Sequence, residues 1–452
     1  MSGFVLCILA FLTTFFVGML NWRFSLCVLM AWGYFFGFLK ANFVDSAGHF
    51  IFDASTIGFY FALMMTLTKV QNRFAWKPVK TWLILLIAWP VFMALIPLQH
   101  YLIQLVGLRG NIMWLPMVLV GAMMDGRSRV TFSIALVFLN WVSLAFAIAE
   151  YLLGVEIFIP TNQATSIVFN SNDIVGNQLR IPSIFANAHS YAGSMVATVP
   201  WLLGELIDNR KNPLKSYFLI SGIVACVLGV FMAGPRQPVA ILGLVITLFL
   251  LMGRINLAFL ICLLVVGSVG SYFVYQNERM QRFMDLQDFD KVQARVELSL
   301  NSYFVDLVLD YPMGNGMGAG GTSIPYFLQT YLTNAVGLEN EYSRILLEQG
   351  LIGLGIWIGF IIWLVFRKID KKDPAFATKK LCWIYAVVIL LTAWIGIGMM
   401  TTVPGTVLLM LAIGICVAPS LDKLGHTSFA NTVKIFSRSI HIPAYQRGLA
   451  RA

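Results

Sequence analysis

Residues 216–252 read SYFLISGIVACVLGVFMAGPRQPVAILGLVITLFLLM, in which two apolar runs flank a short turn. The runs occupy residues 216–233 and 238–252, and the turn between them is GPRQP, residues 234–238. A helix needs roughly 20 apolar residues to cross about 30 Å of hydrocarbon, so runs of this kind predict membrane-spanning helices. This stretch therefore predicts a transmembrane hairpin that carries Arg236 in its turn.

Apolar runs recur along the whole chain. Of the 452 residues, 59% are hydrophobic and 12% are charged, a balance more apolar than that of soluble globular domains. We therefore predict an all-α fold, a polytopic transmembrane helical bundle of about 12 to 14 helices. The predicted spans lie near residues 3–20, 24–39, 54–68, 81–99, 111–124, 131–150, 188–206, 216–233, 238–252, 255–275, 344–366, 380–398 and 403–418.

Basic residues indicate the orientation of these helices, because Lys and Arg are enriched in cytoplasmic loops. They recur in alternate connections, such as residues 69–80, 127–129, 210–215 and 367–380. The predicted regions are the N-terminal transmembrane helices (1–150), a first periplasmic loop (151–187), central transmembrane helices (188–275), a large periplasmic loop containing an amphipathic helix (276–343), C-terminal transmembrane helices (344–418) and a basic cytoplasmic tail (419–452).

Composition and spacing also exclude several kinds of site. The net charge of +10 is spread over short loops and forms no single basic stripe, so no nucleic-acid partner is expected. His189 has no second His or Cys at helical spacing, which predicts a buried, hydrogen-bonded histidine and no metal site. The glycine-rich run at residues 314–321 lacks the Gly-Lys-Ser/Thr of a Walker loop, so backbone flexibility is its expected role. No cofactor is predicted.

Arg236 is the residue that most strongly indicates a function. A periplasmic arginine runs against the charge bias of membrane proteins, and the GPRQP turn contains no carboxylate. Its prolines and glycine set Arg236 at or just before the start of the next helix, where free backbone N–H groups favour anions. A guanidinium there suits the oxygens of a phosphate. The alternative is an arginine that snorkels to the lipid headgroups.

Three further arginines stand out on the predicted periplasmic side: Arg180, Arg279 and Arg295. Arg180 precedes a loop that runs through Asn187 into the next helix, and the residues alone leave both a functional and a structural role open for it. Arg295 lies in the amphipathic stretch, where neighbouring carboxylates offer it ordinary ion pairs, so spacing alone favours a structural role.

A carboxylate also stands where the large loop meets the next span. Glu339, followed by Asn340, can act as a general base towards a sugar hydroxyl, or it can stabilise the start of the helix. Glu348 lies about 13 Å along that helix and is expected to face the bundle interior and to find a partner there.

At these positions the chain resembles the O-antigen ligase and O-antigen polymerase superfamily of bacterial membrane glycosyltransferases. The resemblance comprises four elements in chain order. The first three are Arg180 before the Ser-x-Phe-x-Asn of residues 183–187, Arg236 in the place of a Ser-Arg-Gly turn, and Arg295 before a D-x-P-x-x-G-x-G-x-G-like run at residues 310–318. The fourth is Asn340, separated by nine residues from Gly350-Leu351-Ile352-Gly353, like the motif H-N-x9-G-x-x-G.

The resemblance implies a GT-C-like fold in the bacterial inner membrane, with the active site facing the periplasm. It implies an undecaprenyl-diphosphate-linked glycan donor, whose diphosphate Arg180, Arg236 and Arg295 would bind, and metal-independent, inverting transfer to a glycan acceptor. Asn187, Asn340 and Glu348 would support the site, and Glu339 would be the base or would orient the acceptor. Membrane lipids and a chain-length regulator are further expected partners.

Glu339 occupies the position at which the ligases carry a histidine. We therefore favour a polymerase that joins repeat units over a ligase that transfers glycan to lipid A core. A transporter or flippase of lipid-linked sugars is an alternative of a different class, although such proteins usually show internal repeats and broken helices, and the sequence shows no repeat. A scaffold of an export complex would not need arginines beside a boundary carboxylate.

Overall fold

The structure is a computed structural model, and it describes residues 2–43, 45–66, 76–169, 179–208, 212–251, 304–321, 324–333, 340–395 and 400–419, with a few isolated positions between them. These residues form helices and turns, with no strand among them. The helices are α1 (Ser2–Leu20), α2 (Trp22–Tyr34), α3 (Phe36–Asn42), α4 (Ile51–Thr66), α5 (Lys80–Ala94), α6 (Tyr101–Ile112), α7 (Met117–Met123), α8 (Gly126–Leu153), α9 (Ser166–Phe169), α10 (Ala188–Asp208), α11 (Pro213–Ala233), α12 (Arg236–Leu251), α13 (Phe304–Asp310), α14 (Glu341–Val365), α15 (Phe376–Thr392) and α16 (Gly405–Val417).

The all-helical prediction is confirmed, whereas the predicted number of spans is reached only in part. Within the described residues, five helices are long and apolar enough to cross a membrane: α1, the joined α6–α7, α8, α11 and α14. The pair α2–α3 makes a sixth, although it is bent by 49°. Helices α5, α12 and α16 are apolar but shorter. The predicted span 255–275 lies almost entirely outside the described residues.

Helices α10 and α16 form the centre of the bundle. Helix α10 packs against α8, α11, α12, α15 and α16, and α16 is buried along its whole length. A helix that is apolar all round is expected in such a position. Glycines allow α16 to approach α7 closely, since a Cβ on Gly414 would lie 2.2 Å from Val118 O and one on Gly121 would lie 2.3 Å from Leu411 O.

One end of the bundle is held by ion pairs between helix ends, and we call it the basic end. It collects basic residues from the connections that the sequence analysis assigned to the cytoplasm. The ion pairs at this end are Arg23 with Asp125 (2.7 Å), Arg129 with Glu205 (2.9 Å) and Lys379 with Asp373 (2.6 Å). In addition, Arg367 donates a hydrogen bond to the carbonyl of Val417 at 3.2 Å.

The opposite end, which we call the site end, gathers the starts of α10, α12, α14 and α16. The first residue of α14 donates its N–H to Ala393 O, just after α15, at 3.1 Å. A Cβ on Gly229, near the end of α11, would lie 2.7 Å from Tyr191 Oη in the first turn of α10. Helix α12 begins only three residues after α11 ends. The partial positive charges of these helix N-termini therefore point to one end.

The break between α2 and α3 receives a buried loop. Gly37 lies against this loop, because a Cβ there would be 1.9 Å from the carbonyl carbon of Phe185. Phe38 donates its backbone N–H to Ile184 O at 2.9 Å. Residues 181–185 are all buried. The end of the predicted first periplasmic loop, 151–187, is thus inserted between helices.

A second break lies inside α14, at Gly350, whose φ is +69°. Its neighbours find backbone partners in the glycine-rich run: Leu351 N donates to Pro312 O at 2.9 Å, and Asn315 N donates to Leu347 O at 2.6 Å. Trp89 Nε1 donates to the carbonyl of Gln349 at 2.9 Å. The run expected to be flexible is therefore packed against a broken helix.

Replacing Gly350 tests this packing. A Cβ there would lie 2.5 Å from the carbonyl carbon of Met313, on a left-handed backbone. We expect Gly350→Ala to lower the free energy of unfolding by about 2 kcal/mol or more, since left-handed strain and overpacking add. The melting temperature in detergent measures the loss. Gly355→Ala is the matched control on the same helix, because a Cβ there meets nothing within 4 Å. Equal melting temperatures for the two variants would contradict the close packing of Gly350 against Met313.

Candidate functional site

Arg180 and His189 are in direct contact at the start of α10. Arg180 Nη1 lies 2.6 Å from His189 Nε2. Because a guanidinium can only donate hydrogen bonds, Nε2 must be the acceptor, so the imidazole is neutral and carries its proton on Nδ1. His189 is exposed, so the prediction of a buried histidine is wrong, whereas its hydrogen bonding is confirmed.

The backbone on both sides of this pair is held in place. Ser183 adopts a left-handed conformation with φ 53°, and its N–H donates to Glu150 Oε2 at 2.7 Å. Its hydroxyl donates to Ser143 O, also at 2.7 Å. Asn187 accepts a hydrogen bond from Ser190 N at 2.8 Å and so caps α10. This cap sets the start of the helix that carries His189, and the supporting role expected of Asn187 stays a prediction.

Arg236 is the first residue of α12, as the GPRQP turn predicted. Gly234 ends α11 in the left-handed conformation, with φ +84°, and donates its N–H to Val230 O at 3.3 Å. Pro235 then prevents continuation of α11. Arg236 and Arg180 are both half-buried, and α12 packs against α10. The two arginines therefore stand at the same end of neighbouring helices.

Arg344 is a site-end residue that the sequence analysis did not single out. Its Nε donates to Glu341 Oε2 and its Nη1 to Glu348 Oε2, both at 2.8 Å. All three side chains are at most 3% exposed. Their spacing of three and four residues is the pattern of ion pairs along a helix, and within an apolar span it could have indicated this cluster. The prediction that Glu348 finds an interior partner is confirmed.

Amides join this cluster to helix α6. Asn111 donates to Glu348 Oε2 at 2.7 Å and accepts from Arg344 at 3.1 Å and from Gln349 at 2.9 Å. The adjoining cavity of about 10 Å³ has room for about one water. Asn340 caps α14 by accepting from Ser343 N at 2.7 Å. Glu348 belongs to a buried cluster with Arg344 and Asn111. The supporting roles expected of Asn340 and Glu348 stay predictions.

Two predicted site residues, Glu339 and Arg295, lie outside the described residues. Their roles remain predictions. No group of three or more His, Cys, Asp or Glu side chains that could hold a metal ion occurs in the part of the chain that the structure describes.

Comparisons with known proteins leave the site to be interpreted from its geometry. No protein-family model matches the chain, and no curated protein matches it. The resemblance to membrane glycosyltransferases therefore rests on the motif residues themselves.

The Arg344 cluster can be tested separately from any activity. Arg344→Met would leave two buried carboxylates without their shared guanidinium, and we expect it to cost about 3 to 5 kcal/mol of unfolding free energy. The double variant Arg344→Met/Glu348→Gln should recover part of that loss, because it removes one of the stranded charges. Thermal unfolding in detergent reports both. The control Lys371→Met, at an exposed position, should stay within about 0.5 kcal/mol of the parent. If Arg344→Met were as stable as this control, a structural role of the Arg344 cluster would be ruled out.

Proposed function

We propose that this protein is a polysaccharide polymerase of the bacterial inner membrane, which joins undecaprenyl-diphosphate-linked oligosaccharide repeat units at the periplasmic face. The oxygen of an acceptor hydroxyl attacks the anomeric carbon of the donor as the bond from that carbon to the diphosphate breaks. The reaction inverts the anomeric configuration and needs no metal ion.

The observation that carries this proposal is that Arg236 starts α12 while Arg180 contacts His189 at the start of the neighbouring helix α10, at the same end of the bundle. A departing diphosphate gains negative charge as its bond to the sugar breaks. Guanidinium groups placed in advance stabilise that charge in the transition state, and the helix N-termini add their partial positive charges. We assign Arg295 to the same diphosphate on the resemblance alone.

The charge difference between the two ends supports the orientation. Lys and Arg are enriched on the cytoplasmic side of membrane proteins, so the basic end belongs to the cytoplasm. The site end then faces the periplasm, where a glycan carried on a flipped lipid would be presented.

Two side chains are candidates for the base that takes the proton of the acceptor hydroxyl. Glu339 holds the position of the family's histidine, immediately before the capped start of α14. His189 is neutral in its contact with Arg180 and is exposed at the start of α10, so it is chemically able to accept a proton when that contact opens. We retain Glu339 as the first assignment and His189 as its alternative.

A transporter of lipid-linked sugars remains the second candidate function, and two features favour it. The α2–α3 pair is bent by 49°, and α14 is interrupted at Gly350. Broken helices of this kind are common in transporters, where they usually recur in related halves of the chain. Transfer of glycan to lipid A core, the ligase reaction, is the third candidate.

Reconstitution with an undecaprenyl-diphosphate oligosaccharide tests the proposal. We expect the parent protein to form a ladder of longer lipid-linked chains. Arg236→Ala should abolish it, with a loss of at least about a hundredfold in rate, because one preorganised donor to the leaving group is removed. The matched control Lys368→Ala, at an exposed position beyond the other end of α14, should retain the parent rate.

The products of the same assay separate the three candidates. Lipid A core is supplied in a parallel reaction. Glycan transfer to that core without a ladder would indicate that the protein is a ligase and not a polymerase. Movement of the donor across the bilayer with no covalent product in either reaction would favour the transporter. A parent-like ladder from Arg236→Ala would show that Arg236 has no role in glycosyl transfer.

The pH dependence of the rate distinguishes the two bases. If Glu339 takes the proton, Glu339→Gln should lower the rate by about a hundredfold or more and remove the acidic limb of the rate profile, while His189→Gln keeps that limb. If His189 is the base, the two variants exchange these effects. Rates and profiles are measured with a fixed concentration of lipid-linked donor. Normal profiles from both variants would exclude proton abstraction by either side chain.

A further inference from the structure

A cleft of about 530 Å³ opens at the basic end, far from the proposed glycosyl-transfer site. It lies between the turn that joins α1 to α2 and the first two turns of α8. Arginines contribute three of its lining residues, Arg23, Arg127 and Arg129. Asn21 and Phe24 line the side formed by the α1–α2 turn. We call this feature the arginine cleft.

The ion pairs around the arginine cleft do not engage all of its arginines. Arg23 pairs with Asp125 at 2.7 Å, and Arg129 pairs with Glu205 at 2.9 Å. Arg127 is exposed and, within the described part of the chain, forms no ion pair or hydrogen bond.

The carboxylates that form ion pairs with the cleft arginines are themselves engaged. Burial opposes ionisation of Asp125, but hydrogen bonds from Ser128 and the charges of Arg23 and Arg129 outweigh it and hold the pKa of this carboxyl below its usual value. One oxygen of Asp125 also caps α8, because it accepts a hydrogen bond from Ser128 N at 2.8 Å. Glu205 lies 3.9 Å from Lys215 as well. The cleft therefore keeps a surplus of positive charge, with Arg127 at its open side.

We propose that the arginine cleft binds the phosphate of an anionic phospholipid headgroup. Guanidinium groups donate paired hydrogen bonds to phosphate oxygens, and the start of α8 adds the partial positive charge of a helix N-terminus. A lipid fits better than a soluble anion because apolar side chains continue from the cleft: Phe24 is 56% exposed and Leu20 is 89% exposed. These side chains would contact the acyl chains while the arginines hold the headgroup.

Ligand-induced thermal stabilisation of the full-length protein in a nonionic detergent tests this assignment. Short-chain phosphatidylglycerol should raise the melting temperature in a saturable way, because a ligand that binds the folded state stabilises it. Short-chain phosphatidylcholine, which has no net charge, should raise it much less. Inorganic phosphate tests a soluble anion as the occupant.

Arg127→Gln is the decisive variant, because Arg127 forms no ion pair or hydrogen bond with the residues that the structure describes, so the protein should fold normally. Loss of one charge-assisted contact should weaken phosphatidylglycerol binding about tenfold. Lys368→Gln is the matched control, since it removes an exposed charge at the same end outside the cleft, and it should bind like the parent.

Each remaining outcome would overturn the proposal. Equal weakening by Lys368→Gln would mean diffuse attraction to the basic end. Equal stabilisation by phosphatidylcholine would mean an apolar groove that does not select charge. Stabilisation by inorganic phosphate but not by phosphatidylglycerol would assign the cleft to a soluble anion. Parent-like phosphatidylglycerol binding by Arg127→Gln would exclude the arginine cleft as the lipid-binding site. None of these results bears on the glycosyl-transfer proposal, which concerns the opposite end.

Discussion

Within a hydrocarbon layer each backbone N–H and C=O needs a partner from the protein, and the architecture of this protein follows from that constraint. A continuous helix meets it automatically, whereas a broken one leaves groups that another segment must satisfy. The break in α14 at Gly350 is met by the backbone of residues 312–315 and by the indole of Trp89. At the break between α2 and α3, Phe38 bonds to the inserted loop through Ile184 O. Both breaks therefore commit a loop to a path that is held by backbone hydrogen bonds.

These two committed loops shape the site end. The loop beside α3 holds Ser183 through Glu150 and Ser143, and it leads from Arg180 to the capped start of α10. Arg180 therefore meets His189 on a backbone that cannot easily shift. The loop beside α14 packs against the buried Arg344 cluster. The carboxylates and amides of this cluster surround the Arg344 guanidinium, because a lone buried charge would be costly. One loop supports the exposed contact of Arg180 with His189, and the other supports the buried Arg344 cluster.

The arginines at the two ends of the bundle differ in how they are engaged. At the basic end, Arg23, Arg129 and Arg367 are tied to carboxylates or carbonyls, and the exposed Arg127 is the residue that we propose attracts an anionic headgroup. At the site end, arginines stand at helix starts, where a diphosphate would find both charge and directed N–H groups. The two proposals therefore concern opposite ends of the bundle.

The sequence by itself determined the helical class, the alternation of basic connections, the start of α12 at Arg236 and an interior partner for Glu348. These follow from local rules of hydropathy, turn chemistry and the cost of a buried charge, which act over a few residues. Only the tertiary structure decided the bend at α2–α3, the insertion of residues 181–185, the contact of Arg180 with an exposed His189 and the packing of the glycine-rich run on Gly350. Each of these depends on backbone partners far away along the chain, and hydropathy does not specify which distant loop fills a broken helix.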